Sequence, residues 1–241
     1  MEFERLLRTQ GFGSRSECRA LICSGRVFVD GECCDDPHVD FEPEGFSFMV
    51  DGVSWAFRKS AYIALNKPAS FECSHKPKFY PSVYTLLPKP LVTRGVQALG
   101  RLDEDTTGLL LMSDDGQFIH RCTSPKKIVP KVYEVTTKHV IDDAQVDMLL
   151  RGVLLNGEQS EIAAAACERV SDRLMRLTVT EGKYHQVKRM VAAVSNRVEA
   201  LHRISVGAYA LPATLKPGEW TWLTDEDLAL AQASQPAIGR L

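Results

Sequence analysis

The sequence predicts an α+β fold, with a small N-terminal helix-helix-hairpin domain ahead of a larger domain on an antiparallel or mixed sheet with flanking helices. Three observations lead there. A capped, one-sided helix is followed at once by a strand and a tight-turn signal near the N-terminus. Further on, apolar and alternating strand runs are mixed with helical segments and do not repeat as βαβ units. At 241 residues and 44% hydrophobic content, the chain can bury one large core or two smaller ones.

The elements follow in order. Phe3, Leu6 and Leu7 form a short apolar face that ends at Gly11. Ser14-Arg15-Ser16-Glu17 is a capping box, in which the serine and the glutamate can satisfy each other's free amides. Cys18, Leu21 and Ile22 form the buried face of that helix, and Gly25 can supply its left-handed end. Arg15 and Arg19 are four residues apart and share the opposite face. Val27-Phe28-Val29 with Asp30-Gly31 is a strand and turn signal.

Val53 to Ala61 is irregular and reads as a linker, so residues 1–57 hold the small domain with the start of the linker, and 58–241 the second domain. Tyr62 to Lys67 is a buried strand stopped by Pro68, and Lys76 to Lys89, with three prolines, is largely loop. Gly108 to Met112 is an apolar strand closed by the turn Asp114-Asp115-Gly116. Lys131 to Thr136 alternates as a half-buried strand. Asp143 to Arg151 reads as a helix capped by Gly152, with Val146, Leu149 and Leu150 inward. Arg173 to Thr180 is a strand, Tyr184 to Ser195 the best helix, and Trp220 to Leu223 a strand before a helix started by Thr224 and Asp227.

Composition excludes several classes. No apolar run approaches the roughly 20 residues of a membrane span, and the start Met1-Glu2-Phe3-Glu4-Arg5 lacks a signal-peptide layout, which together predict a cytoplasmic protein. Seven cysteines without a CxxC pair predict reduced, mostly buried thiols, and six scattered histidines predict no structural metal. The net charge of −2 hides a segregated distribution. Arg5, Arg8, Arg15, Arg19 and Arg26 face only Glu17 in their stretch, whereas Val27 to Phe57 carries eight acids and no Lys or Arg. Basic residues return at Arg121 to Lys138 and at Lys183 to Arg203. Such patches suit a partner with a phosphate backbone, although charge runs are also ordinary solvated faces.

The densest polar cluster is Gly100-Arg101-Leu102-Asp103-Glu104-Asp105-Thr106-Thr107-Gly108, in loop-favouring residues before a buried strand. Acids beside Thr and Gly also make plain turns. Asp103-x-Asp105-x-Thr107 further fits the DxDxT signature of Mg²⁺-dependent haloacid-dehalogenase-type phosphatases. That motif should follow an apolar strand in a parallel sheet, and no such strand precedes it here.

A longer likeness covers nearly the whole chain. Leu99-Gly100-Arg101-Leu102-Asp103, Thr106 to Leu111, Leu65-Asn66-Lys67-Pro68, Lys131-Val132-Tyr133, Glu181 to Met190 and Leu201-His202-Arg203 resemble, in order and spacing, the motifs of pseudouridine synthases. On Ser14 to Cys18, Leu21-Ile22, Gly25, Val27, Val29 and Asp30-Gly31, the N-terminal segment of about 45 residues resembles the S-four-type RNA-binding domain, with Glu4 departing from an often basic or polar place. Together with Asp114 to Gln117 and Thr123-Ser124-Pro125, they most resemble the branch that modifies small-subunit (16S) ribosomal RNA. The resemblance implies isomerisation of a flipped uridine in ribosomal RNA, free or in a small-subunit assembly intermediate. It names Asp103 as the catalytic carboxylate. A non-catalytic RNA-binding assembly protein is the other alternative.

The reaction involves no redox change or net hydrolysis and so needs no cofactor. Its carboxylate attacks ribose carbon 1 or base carbon 6, or takes a ribose proton, and the sequence leaves these open. A buried carboxylate stays ionised only beside a cation. On the 184–195 helix, Val187, Met190, Val191 and Val194 face inward and Lys188 borders them, whereas His185 and Arg189 project roughly opposite. Lys188 is therefore expected beside Asp103, as the resemblance also implies, and Arg189 at phosphate. Lysines that snorkel from a core edge look the same in sequence. The resemblance makes Tyr133 the platform that stacks on the target base, and Leu201 its apolar neighbour. Arg101 is expected to touch phosphate or brace the loop, and Arg15, Arg19 and Arg26 to contact RNA. His185 is expected to be structural, and Asp105, Asp114 and Asp115 to be turn and cap residues. Nothing signals an oligomer, so monomer is the default.

Overall fold

In the computed structural model, which describes residues 1–234, the capping box closes as expected: Ser14 N donates to Glu17 at 2.7 Å, and Glu17 N to Ser14 Oγ at 3.4 Å. Helices α1 (Phe3–Thr9) and α2 (Arg15–Cys23) meet through Phe3, Leu6, Leu7, Cys18 and Ile22, all fully buried. Strand β1 (Val27–Val29) turns through Asp30 and Gly31, both left-handed at φ 51° and 84°, into β2 (Glu32–Cys33). That turn matches the twist of a two-residue hairpin. With β3 (Ser47–Val50) and β4 (Val53–Ala56) the strands form an antiparallel sheet ordered β2-β1-β3-β4. Val53 to Ala56 is thus strand and not linker. It is an edge strand on which only Trp55 is half-buried, against the core, so it carries no apolar period to read.

The chain divides into two compact units, Met1–Ala61 with Leu87–Gln97, and Tyr62–Leu86 with the described residues from Ala98 onward. The excursion containing α3 (Lys89–Thr93) is tied to the first unit by Arg94, which donates to Gln10 Oε1 and to the Arg58 carbonyl.

In the second unit, β5 (Tyr62–Lys67), β7 (Thr107–Ser113), β8 (Lys131–Thr137), β11 (Ala166–Ser171), β12 (Leu174–Val179), β13 (Val198–Val206) and β15 (Trp220–Trp222) form one sheet. Its order is β11-β12-β8-β13-β7-β5-β15, and every pairing along it is antiparallel except β7 with β13. Short strands β6 (Gln97–Ala98), β9 (Val153–Leu154), β10 (Glu161–Ile162) and β14 (Tyr209–Ala210) complete the inventory. The fold is mixed α+β, as expected.

Helices α4 (Gly116–Thr123) and α7 (Asp225–Ala231) pack Phe118, Cys122 and Ala231 onto Ala64, Leu109, Leu111 and Val206 of the sheet. Helix α5 (Asp143–Arg151) has the expected bounds, but only Leu149 is fully buried, and Leu150 is 41% exposed. Of the thiols, Cys18, Cys73 and Cys122 are buried while Cys23 and Cys33 are exposed, short of the expectation that most would be interior. Among the described residues no helix is long and apolar enough to cross a membrane.

Gly108 is required where β7 meets β13. Its φ is +100°, and a Cβ there would lie 2.3 Å from the Arg203 carbonyl oxygen. This close parallel approach brings the loop before β7 over the face of β8 and β13.

Candidate active site

Asp103 lies in that loop, which is braced from beneath by Lys67. Fully buried at the end of β5, Lys67 donates to the carbonyls of Pro68 (3.0 Å), Glu104 (3.2 Å) and Thr106 (2.8 Å). Three carbonyl acceptors satisfy an ammonium that burial would otherwise leave bare, and burial holds its pKa below the usual lysine value.

The cleft above β8 and β13 has a floor and two walls. Lys131 and Tyr133 alternate on β8, and Leu201 and Arg203 on β13, so all four face it. Tyr133 and Arg203 are direct cross-strand partners. The Asp103 loop forms one wall and α6 (Gln186–Ala193) the other. Arg101 is exposed and also lines the cleft. The structure therefore brings Asp103, Tyr133, Lys188, Leu201 and Arg101 together.

Asp103 is held from both sides. Lys188 Nζ lies 3.0 Å from Oδ2, and His185 Nε2 lies 3.2 Å from Oδ1. Lys188 also contacts Asp105 at 2.6 Å. Burial pulls the Lys188 ammonium down, but its bonds to Asp105 and Asp103 outweigh that and leave its pKa above the ordinary lysine value. For Asp105, burial pushes the carboxyl up and Lys188 more than offsets it, holding it below the usual range. A carboxylate so placed can act as a nucleophile or take a proton. The DxDxT reading finds no support in this setting: both of its carboxylates engage a lysine, and the loop feeds a largely antiparallel sheet.

Three expectations are corrected. His185 does not project away from Asp103. It is not a helical residue: it precedes α6 in the left-handed conformation (φ 47°, ψ 35°), so angles counted along a helix do not apply to it. Asp105 is more than a turn residue, since it shares Lys188 with Asp103. Arg189 is not free for phosphate, because its guanidinium bonds the Tyr184 and Asn156 carbonyls and lies 3.5 Å from Glu158.

In the first unit, Arg15 and Arg19 converge on Glu4, at 2.5 and 3.0 Å. Glu4 is only 2% exposed. Burial pushes its carboxyl up, but the hydrogen bonds from both arginines prevail and hold it below the usual value. The departure noted at Glu4 thus has a structural role: it fixes two arginines that remain 64% and 47% exposed. Arg26 forms a two-pronged pair with Asp51, both bonds 2.6 Å.

Two residues went unremarked in the sequence as site groups, Lys131 and Arg203. Both stood inside matched motifs, but neither motif reveals that their charges are interior. Lys131 is 8% exposed and Arg203 1%.

The chain is similar to known proteins over most of its length. Residues 61–193 match the family model described as RNA pseudouridylate synthase, and residues 4–44 match the S4 domain. A ribosomal small subunit pseudouridine synthase A from Vibrio parahaemolyticus is 41% identical over 217 residues, 89% of this chain and 92% of the relative. Its namesake from Escherichia coli strain K12 is 39% identical over 230 residues, 95% of this chain and 99% of the relative. A crystal structure of a pseudouridylate synthase superposes with a TM-score of 0.68 at 33% identity, covering 96% of this chain and 99% of that one.

Proposed function

The chain belongs to the RNA pseudouridylate synthase family, and from that premise we propose that it isomerises a uridine of small-subunit ribosomal RNA to pseudouridine, with Asp103 as the catalytic carboxylate. The observation that carries the reading is the Asp103 carboxylate held between Lys188 and His185 beside Tyr133. The small subunit is the target that the names of the relatives suggest, and the RNA is met alone or within a small-subunit assembly intermediate.

In this reading a uridine leaves the stack and enters the cleft, an extrusion that costs a few kcal/mol. Tyr133 and Leu201 receive the base, and Asp103, paired with Lys188, acts on the ribose or on the base. The glycosidic bond to N1 breaks and a bond from ribose carbon 1 to C5 forms. The C5 proton leaves and N1 gains one, so nothing is oxidised and no cofactor enters the balance. Arg15, Arg19 and Arg26, in the first unit, supply phosphate contacts, and Arg101 supplies another at the cleft. One chain provides every group named, so a monomer suffices, acting in the cytoplasm where ribosomal RNA is assembled.

The test is Asp103→Ala and Asp103→Asn in the purified chain, scored by pseudouridine mapping of small-subunit RNA. Both variants are expected to form no pseudouridine while binding RNA within a few-fold of wild type. Turnover by Asp103→Ala would refute the assignment.

A further inference from the structure

Arg203 is the largest fully buried side chain in the described molecule. Its Nε donates to the Leu109 carbonyl at 2.7 Å, and Nη1 reaches the Tyr133 hydroxyl oxygen at 3.5 Å. Nη2 is buried with no hydrogen-bond partner among the described residues. Lys131, on the same floor, has a single bond, from Nζ to the Val129 carbonyl at 3.0 Å. Neither residue forms an ion pair with a described carboxylate. Of the acids that line the cleft, Asp103 is held by Lys188 and His185, while Glu181 lies 3.7 Å from Lys183 with its buried Oε2 lacking a hydrogen-bond partner among the described residues.

Two like charges buried side by side without a counter-ion are costly, and a fold built for stability alone would replace them with apolar groups. The mutual repulsion is visible in Lys131, whose pKa burial and the neighbouring Arg203 push down to about 8. A site that carries this cost is suited to a negative charge that arrives later. Backbone phosphate is one source of such a charge, and the reacting base is another. Depth favours the base. Arg203 is 1% exposed and is the cross-strand partner of Tyr133 on the cleft floor, where an extruded base would lie, whereas Arg101 on the same cleft is exposed and suits phosphate.

When the glycosidic bond breaks heterolytically, the electron pair stays with N1 and the base becomes an anion, its charge spread from N1 over its carbonyl oxygens. Bonding through C5 then expels the C5 proton, a proton returns to N1, and the charge disappears. We infer that Arg203 and Lys131 form a cationic floor that stabilises this detached uracil anion, an inference that rests on the synthase reading of the same cleft. Lys188 serves Asp103, and the floor serves the leaving base. Fixed charges in a low-dielectric site act over the few ångströms involved without rearrangement. Arg203 works in part through Tyr133, whose hydroxyl oxygen accepts its hydrogen bond, and is to that extent a positioning residue.

The experiment uses the full chain and the small-subunit RNA or particle that wild type modifies, labelled with tritium at uridine C5. Tritium release under single turnover reports the reaction, and filter binding reports affinity. Arg203→Met is expected to slow the single-turnover rate by roughly 100-fold, with the dissociation constant within about twofold. Arg203→Lys should recover part of the loss. Arg203→Ala should be rescued by millimolar guanidinium and not by urea, its uncharged counterpart of similar shape. Lys131→Met, which removes a buried charge and should fold well, is expected to lose rate also. A rate for Arg203→Met within threefold of wild type would overturn the inference. So would a loss confined to binding, which would assign the floor to phosphate, or equal rescue by urea. If wild type itself releases no tritium and forms no pseudouridine, the functional reading fails, a result distinct from any of these.

Discussion

Lys188 Nζ lies 3.0 Å from Asp103 Oδ2, and the same ammonium is 2.6 Å from Asp105 Oδ1. One cation therefore divides its charge between two carboxylates, of which only Asp103 borders the floor of the cleft. Removing Lys188 leaves Asp103 with His185 alone. Lys188→Met is expected to lower turnover by roughly 100-fold, less than the complete loss at Asp103, because His185 still bonds the carboxylate. Asp105→Asn leaves the ammonium wholly to Asp103 and should change turnover by less than about fivefold. Single-turnover assays on both variants check the ranking, and a larger loss at Asp105 than at Lys188 would contradict it.

His185 makes the second contact, 3.2 Å from Asp103, from a left-handed backbone position. If its role is to orient Asp103 by a hydrogen bond, the donor matters more than the ring. His185→Gln should retain turnover within about tenfold of wild type and exceed His185→Ala. His185→Gly, relaxed at this backbone conformation, should be the more stable protein and yet as slow as the alanine variant. Thermal melts beside rate measurements separate the two effects.

The site shows what a sequence can and cannot disclose. Lys188 was legible because it lies within α6, where 100° per residue holds and the apolar set Val187, Met190, Val191 and Val194 fixes the inward face. His185 was not, since one left-handed residue ends the periodicity on which that reasoning depends. The strand Val198–Val206 escaped notice as a strand because polar residues, including His202 and the buried Arg203, interrupt its apolar pattern. Val53–Ala56 escaped because this edge strand half-buries one side chain, Trp55, and leaves the rest exposed. Tyr62–Lys67 and Lys131–Thr137 were plain, one as a continuous apolar strand and the other as an alternating one.

Glu4 ties the two exposed arginines of the first unit to its stability. Its carboxyl titrates below the ordinary value in the folded chain because of Arg15 and Arg19, after burial has worked the other way. A depressed carboxylate contributes stability that is complete above the unfolded value near 4.5 and is lost as pH falls through the folded one. Wild type should therefore melt above Glu4→Gln at neutral pH, with the gap closing in acid below about 4.5. Replacing Arg15 and Arg19 together by alanine should weaken RNA binding and reduce the salt slope by about two. An unchanged slope would mean that the pair serves only Glu4.

Gly108 sets the distance between β7 and β13, and with it the position of Arg203. In Gly108→Ala the new Cβ meets the Arg203 backbone oxygen at 2.3 Å, in a φ region that alanine disfavours. Backbone cannot yield as a side-chain tip does, so a cost on the order of 3 kcal/mol is expected. For a chain of this size that is a fall in Tm of roughly 10 °C. Turnover measured below the new melting point should fall as well, because β13 carries both Leu201 and Arg203 into the cleft. A Gly108→Ala protein with wild-type Tm would remove the reason given for this glycine.

Lys131 sets stability and catalysis against each other. Burial comes first among the causes that lower its pKa from 10.5 to about 8, and the Arg203 charge adds to it, while the Cys122 thiol acts the opposite way. The unfolded chain binds this proton up to its ordinary pKa, the folded chain only to about 8, so the penalty is fully present below pH 8. At 1.36 kcal/mol per unit, it reaches about 3 kcal/mol at neutral pH as a ceiling. Lys131→Met keeps the stem's volume and discards the charge. It should therefore be more stable than wild type at pH 7, by up to about 3 kcal/mol in denaturant melts. Between about pH 8 and 10.5 the folded wild type sheds the proton that the unfolded chain keeps, so wild type gains stability and the difference narrows. The same substitution should slow the reaction at pH 7, where wild-type Lys131 is still mostly charged. A variant both more stable and slower is what a charge retained for chemistry requires; a variant that is less stable at pH 7, or as fast as wild type, would show that Lys131 is held there for packing.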